Sequence, residues 1–257
     1  MAPKDGRYSE EALVERPAIE LFESLGWSFA NCFHEFDDNG VSSLGRDTKA
    51  DVVLVSKLKP VLEKLNPDVS SVAIDEAIKI LAQDRGLMSM TVANRDVYDL
   101  LKNGILVSYL NDRHEQVSER VKVIDWETPD NNDFFLASQF WVSGEMYTRR
   151  ADLMGFINGI PLLFIELKAS HRNLKKAFDD NLRDYKSTIP QVFWFNGLIV
   201  LSNGSQSRLG TISAEWDHFS DWKRINSEGE KAKVSLETIV RACCTKVRLL
   251  VLIENYI

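Results

Sequence analysis

Two hydrophobic rhythms run along the chain. Residues 9–25 carry Leu13, Val14, Ala18, Ile19, Leu21, Phe22 and Leu25 at helical spacing, with Ser9 placed to cap the start and Gly26 to end the helix. Residues 37–40 and 42–43 read as loop, and 51–55 as a short strand. From Leu58 to Gly104 the period is helical again. Val72, Ala73, Ile74, Ala77, Ile78, Ile80 and Leu81 crowd one segment widely enough for a well-buried helix, and Asn94 stands where an N-cap would open a helix ending at Gly104. Extended runs follow at 105–110, 117–126 and 134–142, the last two split by the turn signal Pro129-Asp130-Asn131-Asn132. Two strands, 149–157 and 161–168, meet at Asn158-Gly159. A helix from about Asn173 to Lys186 and a strand at 191–201 come next. No repeat or low-complexity stretch interrupts the series. The pattern predicts an α/β fold, a mixed central β-sheet flanked by helices, with a helical insertion between about residues 56 and 104.

At 257 residues the chain is long enough for one large α/β domain or two small ones. With 44% hydrophobic and 27% charged residues it has the profile of a folded globular protein rather than a disordered one. Its apolar runs are short, such as 160–165 and 192–195, and none approaches the ~18 residues that span a bilayer. Met1-Ala2-Pro3-Lys4-Asp5-Gly6 lacks the apolar core of a secretory signal, so the expected address is the cytosol, with no membrane partner. Cys32 and the adjacent Cys243 and Cys244 fit neither a disulfide framework nor zinc-ligand spacing, and read as packing residues. A net charge of −7 argues against a strongly basic nucleic-acid coat.

The chemistry is concentrated in residues 151–168. Most of that segment is what a hairpin buried on both faces requires. The exceptions are Asp152 in the first strand and Glu166 and Lys168 at the end of the second. Glu166 and Lys168 are two apart and project from one face. Whether Asp152 joins them depends on the loop. A two-residue loop, Asn158-Gly159, sets Asp152 opposite Ile165 and on the wrong face. A three-residue loop, Asn158-Gly159-Ile160, pairs Ile157 with Pro161 and sets Asp152 opposite Glu166, with Gly159 left-handed. The three-residue loop is therefore expected, because it brings two carboxylates close enough to share a cation. A bare Asp-x13-Glu-x-Lys spacing would more often be an ion pair ending a strand; the buried hairpin and the helix behind it favour a site. In that helix Asn181 and Tyr185 are four apart and share a face, placed to contact phosphate or orient Lys168, unless they are merely boundary residues. Glu15, on the apolar side of the first helix, is a further candidate, either near a metal site or as a carboxylate favoured by the helix dipole.

Asp152 with Glu166-x-Lys168 resembles the PD-(D/E)xK nuclease motif in its RecB-like branch. More narrowly, the chain resembles the N-terminal part of the restriction (R) subunit of type I restriction-modification enzymes. The resemblance covers nearly all of it, through Leu13-Val14-Glu15-Arg16-Pro17-Ala18-Ile19-Glu20-Leu21, Leu25-Gly26-Trp27, Leu65-Asn66-Pro67, Asn132-Asp133-Phe134, Gln139, Phe140-Trp141-Val142, the block from Asn158 to Lys168, and Leu201-Ser202-Asn203-Gly204. It implies a restriction-endonuclease-like core over residues 1–240, cutting DNA with Mg²⁺ on Asp152 and Glu166 and with Lys168 beside them. In one departure Asn181 replaces the glutamine of the family's Gln-x-x-x-Tyr, while Tyr185 matches. The resemblance also implies an ATP-driven motor downstream, with residues 241–257 as its lead-in, and methyltransferase and DNA-recognition (specificity) subunits as partners. No G-x-x-x-x-G-K-[ST] loop for ATP occurs in these residues. A stand-alone RecB-like repair nuclease and a catalytically silent docking module of the same fold are the alternatives.

Overall fold

The computed structural model describes residues 10–110, 113–169, 171–222 and 235–256. Seven strands form one mixed sheet: β1 (Ser28–Asn31), β4 (Phe134–Ser143), β5 (Thr148–Ile157), β6 (Ile160–Leu167), β7 (Leu198–Ser202), β8 (Ser207–Gly210) and β9 (Ser220–Asp221), in that spatial order. β1–β4 and β6–β7 pair parallel, and the other neighbours antiparallel. A separate ribbon joins β2 (Ile105–Leu110) to β3 (Gln116–Val121). Every residue of β6 is buried, which fits its run of apolar side chains and a sheet covered on both sides.

Helix α1 (Glu10–Ser24) packs Ala18 and Phe22 into the core and ends before Gly26, whose φ of +83° suits glycine. Helices α2 (Val55–Leu65), α3 (Ser71–Ala82) and α4 (Met90–Asn103) occupy the expected helical stretch. Asn66 pins the ribbon to α2: its amide donates to Lys122 O at 2.9 Å and its Oδ1 accepts from Lys122 N at 2.7 Å. Beyond β6, α5 (Leu174–Lys176), a π-helical stretch (Ala177–Leu182) and α6 (Arg183–Thr188) run on as one helical rod, with Asn173 capping its start through Lys175 N at 2.8 Å. Then come α7 (Gln191–Phe195), α8 (Ser235–Cys243) and α9 (Lys246–Tyr256). The three cysteines are free and buried, as packing residues should be.

Several expectations need correction. Residues 51–55 are not a strand. Val52, Val53 and Leu54 are buried in irregular chain, where Leu54 N donates to Gly159 O at 2.8 Å before α2 begins. Residues 191–201 are a short helix followed by a strand, since an apolar run of that length fits either. Asn94 is no N-cap: α4 starts after Ser89, and the Asn94 amide donates to the carbonyls of Phe193, Trp194 and Asn196, so it closes the end of α7 instead. β3 stops at Val121 rather than continuing to residue 126. Ser9 lies outside the described residues.

The three-residue loop is also wrong. Ile157 pairs with Ile160, and Phe156 with Pro161, so Asn158 and Gly159 alone form the turn. Both have positive φ, +53° and +77°, the signature of a type I′ Asn-Gly turn. A Cβ on Gly159 would lie 2.4 Å from Leu54 O, so nothing larger fits. A bulge between Gly155 and Phe156 then shifts the register by one, pairing Gly155 with Leu163 and Leu153 with Ile165. Continuing that register by one residue puts Asp152 opposite Glu166. Two local irregularities cancel.

Candidate active site

The open end of the β5–β6 hairpin forms one wall of a cavity of about 700 Å³, lined among others by Arg150, Asp152, Glu166, Lys168, Asn181 and Tyr185. Asp152 is held by its neighbour strand: its Oδ2 accepts the Leu167 N–H at 2.8 Å. Glu166 is 1% exposed. Its Oε1 accepts from Lys168 Nζ at 2.7 Å, and its Oε2 is buried without a hydrogen-bond partner among the described residues. Burial, then the charge of Asp152, pushes the Glu166 carboxyl up from 4.5 to about 8, against the pull of Lys168 and, less strongly, of the nearby Tyr185 hydroxyl, whose own bond goes to Arg150 O. Two carboxylates thus face each other with one acceptor unused. Among the described residues no cluster of three or more His, Cys, Asp or Glu side chains forms a metal cage, so the pair stands without a third ligand of that kind.

The helical rod behind β6 supplies the opposite wall. Tyr185 is buried against Phe164, with ring centroids 5.5 Å apart. Its hydroxyl donates to Arg150 O at 3.2 Å, pinning β5 two residues from Asp152. Burial, then Glu166 and Asp152, raises the Tyr185 phenol, while the Asn181 amide beside it pulls the other way. Tyr185 therefore keeps its proton, and its hydroxyl serves here as a donor to the β5 backbone. Asn181 lines the cavity from within the π-helical stretch, a distortion that recurs at functional sites. Glu15 is one contact removed. Its carboxylate accepts from Gln139 Nε2 at 2.7 Å, and Gln139, bracketed by the pairs Ser138–Leu153 and Phe140–Ala151, lies opposite Asp152 in the neighbouring strand. Gln139 has φ of +55° inside a strand, a strained backbone that only tight surroundings maintain.

A family model described as the type I restriction enzyme R protein N terminus matches residues 7–218. The chain belongs to that family. The endonuclease subunit of the type I restriction enzyme HindI from Haemophilus influenzae is 29% identical over 229 residues, covering 86% of this chain and 21% of the relative. A putative type I restriction enzyme endonuclease subunit, MjaIXP, from Methanocaldococcus jannaschii is 26% identical over 249 residues, covering 92% and 23%. The chain spans about a fifth of the length of these relatives. A restriction-enzyme family points to a divalent cation in general.

In this R-protein N-terminal region the structure brings Asp152, Glu166, Lys168, Asn181 and Tyr185 to one cavity and leaves Glu15 behind Gln139. Sequence reasoning missed Arg150, Arg172 and Lys176, which also line it. Arg150 was readable, since it is two residues from Asp152 on the same strand face. Arg172 and Lys176 flank a turn whose direction the sequence does not specify. No helix among the described residues is long and apolar enough to cross a membrane.

Proposed function

We propose that the chain is the endonuclease module of a type I restriction enzyme R subunit, hydrolysing DNA phosphodiester bonds with Mg²⁺ held by Asp152 and Glu166. The observation that carries this is Glu166: a fully buried carboxylate, facing a second one, with an oxygen that makes no hydrogen bond among the described residues. Such a group is costly in a folded core unless a cation completes it. Mg²⁺ takes oxygen ligands and keeps several waters, so two carboxylates and a substrate phosphate suffice. Bound there, it would polarise the phosphate and acidify a coordinated water. Asp152 is already oriented by the Leu167 N–H. Lys168 Nζ spends one N–H on Glu166 and has others to give to a phosphate oxygen or the attacking water, stabilising charge as it develops. Glu15 acts through Gln139 rather than on the reacting phosphate.

Residues 1–240 would form this module, with 56–104 as a helical insertion, and 241–257 would lead into an ATP-driven motor. In the cytosol, methyltransferase and DNA-recognition subunits would complete the enzyme and choose the DNA. In the complete enzyme, Asp152→Ala or Lys168→Ala should lower DNA cleavage by a hundredfold or more (~10²–10⁴) while ATP hydrolysis continues. Equal loss of both activities in a folded variant would overturn the assignment.

A further inference from the structure

β5 carries two adjacent arginines with opposite fates. Arg149 is committed to structure: its Nε and an amino nitrogen reach the Asp184 carboxylate at 2.5 and 3.0 Å and tie β5 to α6. Arg150 points into the cavity and, among the described residues, makes no ion pair. Its guanidinium instead lies over two aromatic rings, 5.1 Å from the centroid of Phe33 and 5.3 Å from that of Trp141, its direct partner across the β4–β5 pair. The rings are themselves fixed. Trp141 Nε1 donates to Phe33 O at 3.2 Å, Asn31 Oδ1 accepts from Phe33 N at 2.9 Å, and His34 meets the Phe33 ring edge-on at 4.7 Å. Phe33 is nevertheless 44% exposed.

A guanidinium stacked on rings keeps its N–H groups in one plane and loses little freedom when they are used. The Arg150 N–H groups therefore form a ready-made fork for an oxyanion. The fork is two residues from Asp152 on the same strand face, about 6.6 Å along β5. That is comparable with the separation of neighbouring phosphates in one DNA strand. Across the cavity Arg172 and Lys176, also without ion pairs among the described residues, line the facing wall, with Asp180 the one acidic side chain beside them.

We infer that Arg150, laid on the Phe33–Trp141 shelf, clamps the phosphate next to the one that is cut, and that the exposed Phe33 ring receives the sugar and base of that nucleotide. The inference rests on the nuclease reading for the meaning of "cut", but the binding it describes needs neither metal nor cleavage. An aromatic surface accepts a base only when that base has left its stack, so the shelf favours an unpaired strand over a duplex. Lysine does not substitute for arginine in a planar, stacked fork.

The test is fluorescence anisotropy of the 257-residue chain with labelled single-stranded and duplex oligonucleotides at low salt, without divalent ions, each variant checked by circular dichroism. Arg150→Ala should weaken binding about tenfold and lower the salt slope by about 0.7 to 0.9, the value of one phosphate contact. Arg150→Lys should recover the salt slope but little of the affinity. Phe33→Ala, an exposed change, should cost about tenfold with single strands and much less with duplex. Arg172→Ala combined with Lys176→Ala should weaken both substrates alike. Wild-type affinity in Arg150→Ala, full rescue by lysine, or no DNA binding by the unsubstituted chain overturns the clamp. Shelf-dependent binding in a complete enzyme whose cleavage ignores Asp152→Ala would keep the clamp and remove the nuclease reading.

Discussion

The two ends of the β5–β6 hairpin both bury polar groups, and they do so in opposite ways. At the turn, Asn158 is fully buried with its amide in use: Oδ1 accepts from Asp133 N, and Nδ2 donates to Val123 O and to Asn132 Oδ1, each at 2.8 Å. Asn132 in turn bonds the backbone of Asp125, whose carboxylate receives Thr128 N and the Asn131 amide. Burial pushes the Asp125 carboxyl up, yet those hydrogen bonds and Lys122 outweigh it and leave the group below its ordinary value. At the open end burial wins, Asp152 adds to it, and Glu166 rises to about 8 with one acceptor unused among the described residues. Both carboxylates show little surface, 7% for Asp125 and 1% for Glu166, but Asp125 lies just beneath the surface whereas Glu166 lies deep. One belongs to a completed network, the other to an incomplete one. Deep burial and an unfilled acceptor together set the open end of the hairpin apart from its turn.

If the turn is a structural network, removing Asn158 should cost the most stability. Asn158→Ala strands the Asp133 N–H and the Val123 carbonyl and forces alanine to φ near +53°, for about 4 kcal/mol in urea denaturation. Asn158→Gly should recover only the backbone part. A cost under about 1 kcal/mol would mean that water replaces the network.

Glu166→Gln should have the opposite sign in the metal-free protein. Unfolded, this carboxyl loses its proton near 4.5; folded, near 8, so folding favours the protonated form. Its contribution is therefore harmless below pH 4.5 and grows unfavourable as pH rises toward 8, reaching about 3 kcal/mol by pH 7. Glutamine escapes that cost. The variant should be more stable than wild type at pH 8, with the gap closing toward pH 5, as followed by thermal melting across pH. A gap independent of pH would show that the carboxylate is not strained by ionisation.

A smaller effect is expected at Tyr185. Tyr185→Phe removes one hydrogen bond to Arg150 O and should cost about 1 kcal/mol of stability, while lowering cleavage in the complete enzyme through displacement of β5. Unchanged cleavage would place Tyr185 in packing alone.

Asp152, Glu166 and Lys168 could be located from sequence because charges interrupt an otherwise apolar hairpin, and interruptions of that kind are informative. Their meeting on one face was anticipated through the wrong device. The Asn-Gly turn takes two residues, and a bulge beside Gly155 restores the register; Gly155 marks that place, since a Cβ there would meet Leu163 and Trp27 at 3.0 to 3.1 Å. Long-range contacts left less trace. Asn94 looks like a cap from its neighbours, and only the fold brings it to the end of α7. Val52 to Leu54 read as a strand because burial, not pairing, sets their apolarity. The shelf under Arg150 joins residues more than a hundred positions apart, and no local pattern announces it.

The central claim is that the incomplete end of the hairpin is completed by a divalent cation on Glu166 and Asp152. Isothermal titration of the metal-free chain with Mg²⁺ at pH 7, in buffers of different ionisation enthalpy, measures it together with the protons released. Glu166 is protonated there before binding and must ionise to bind, so the account predicts release of nearly one proton per ion, tighter binding as pH rises toward 8, and no binding by Glu166→Gln. Mg²⁺ binding without proton release, or equal binding by Glu166→Gln, would contradict it.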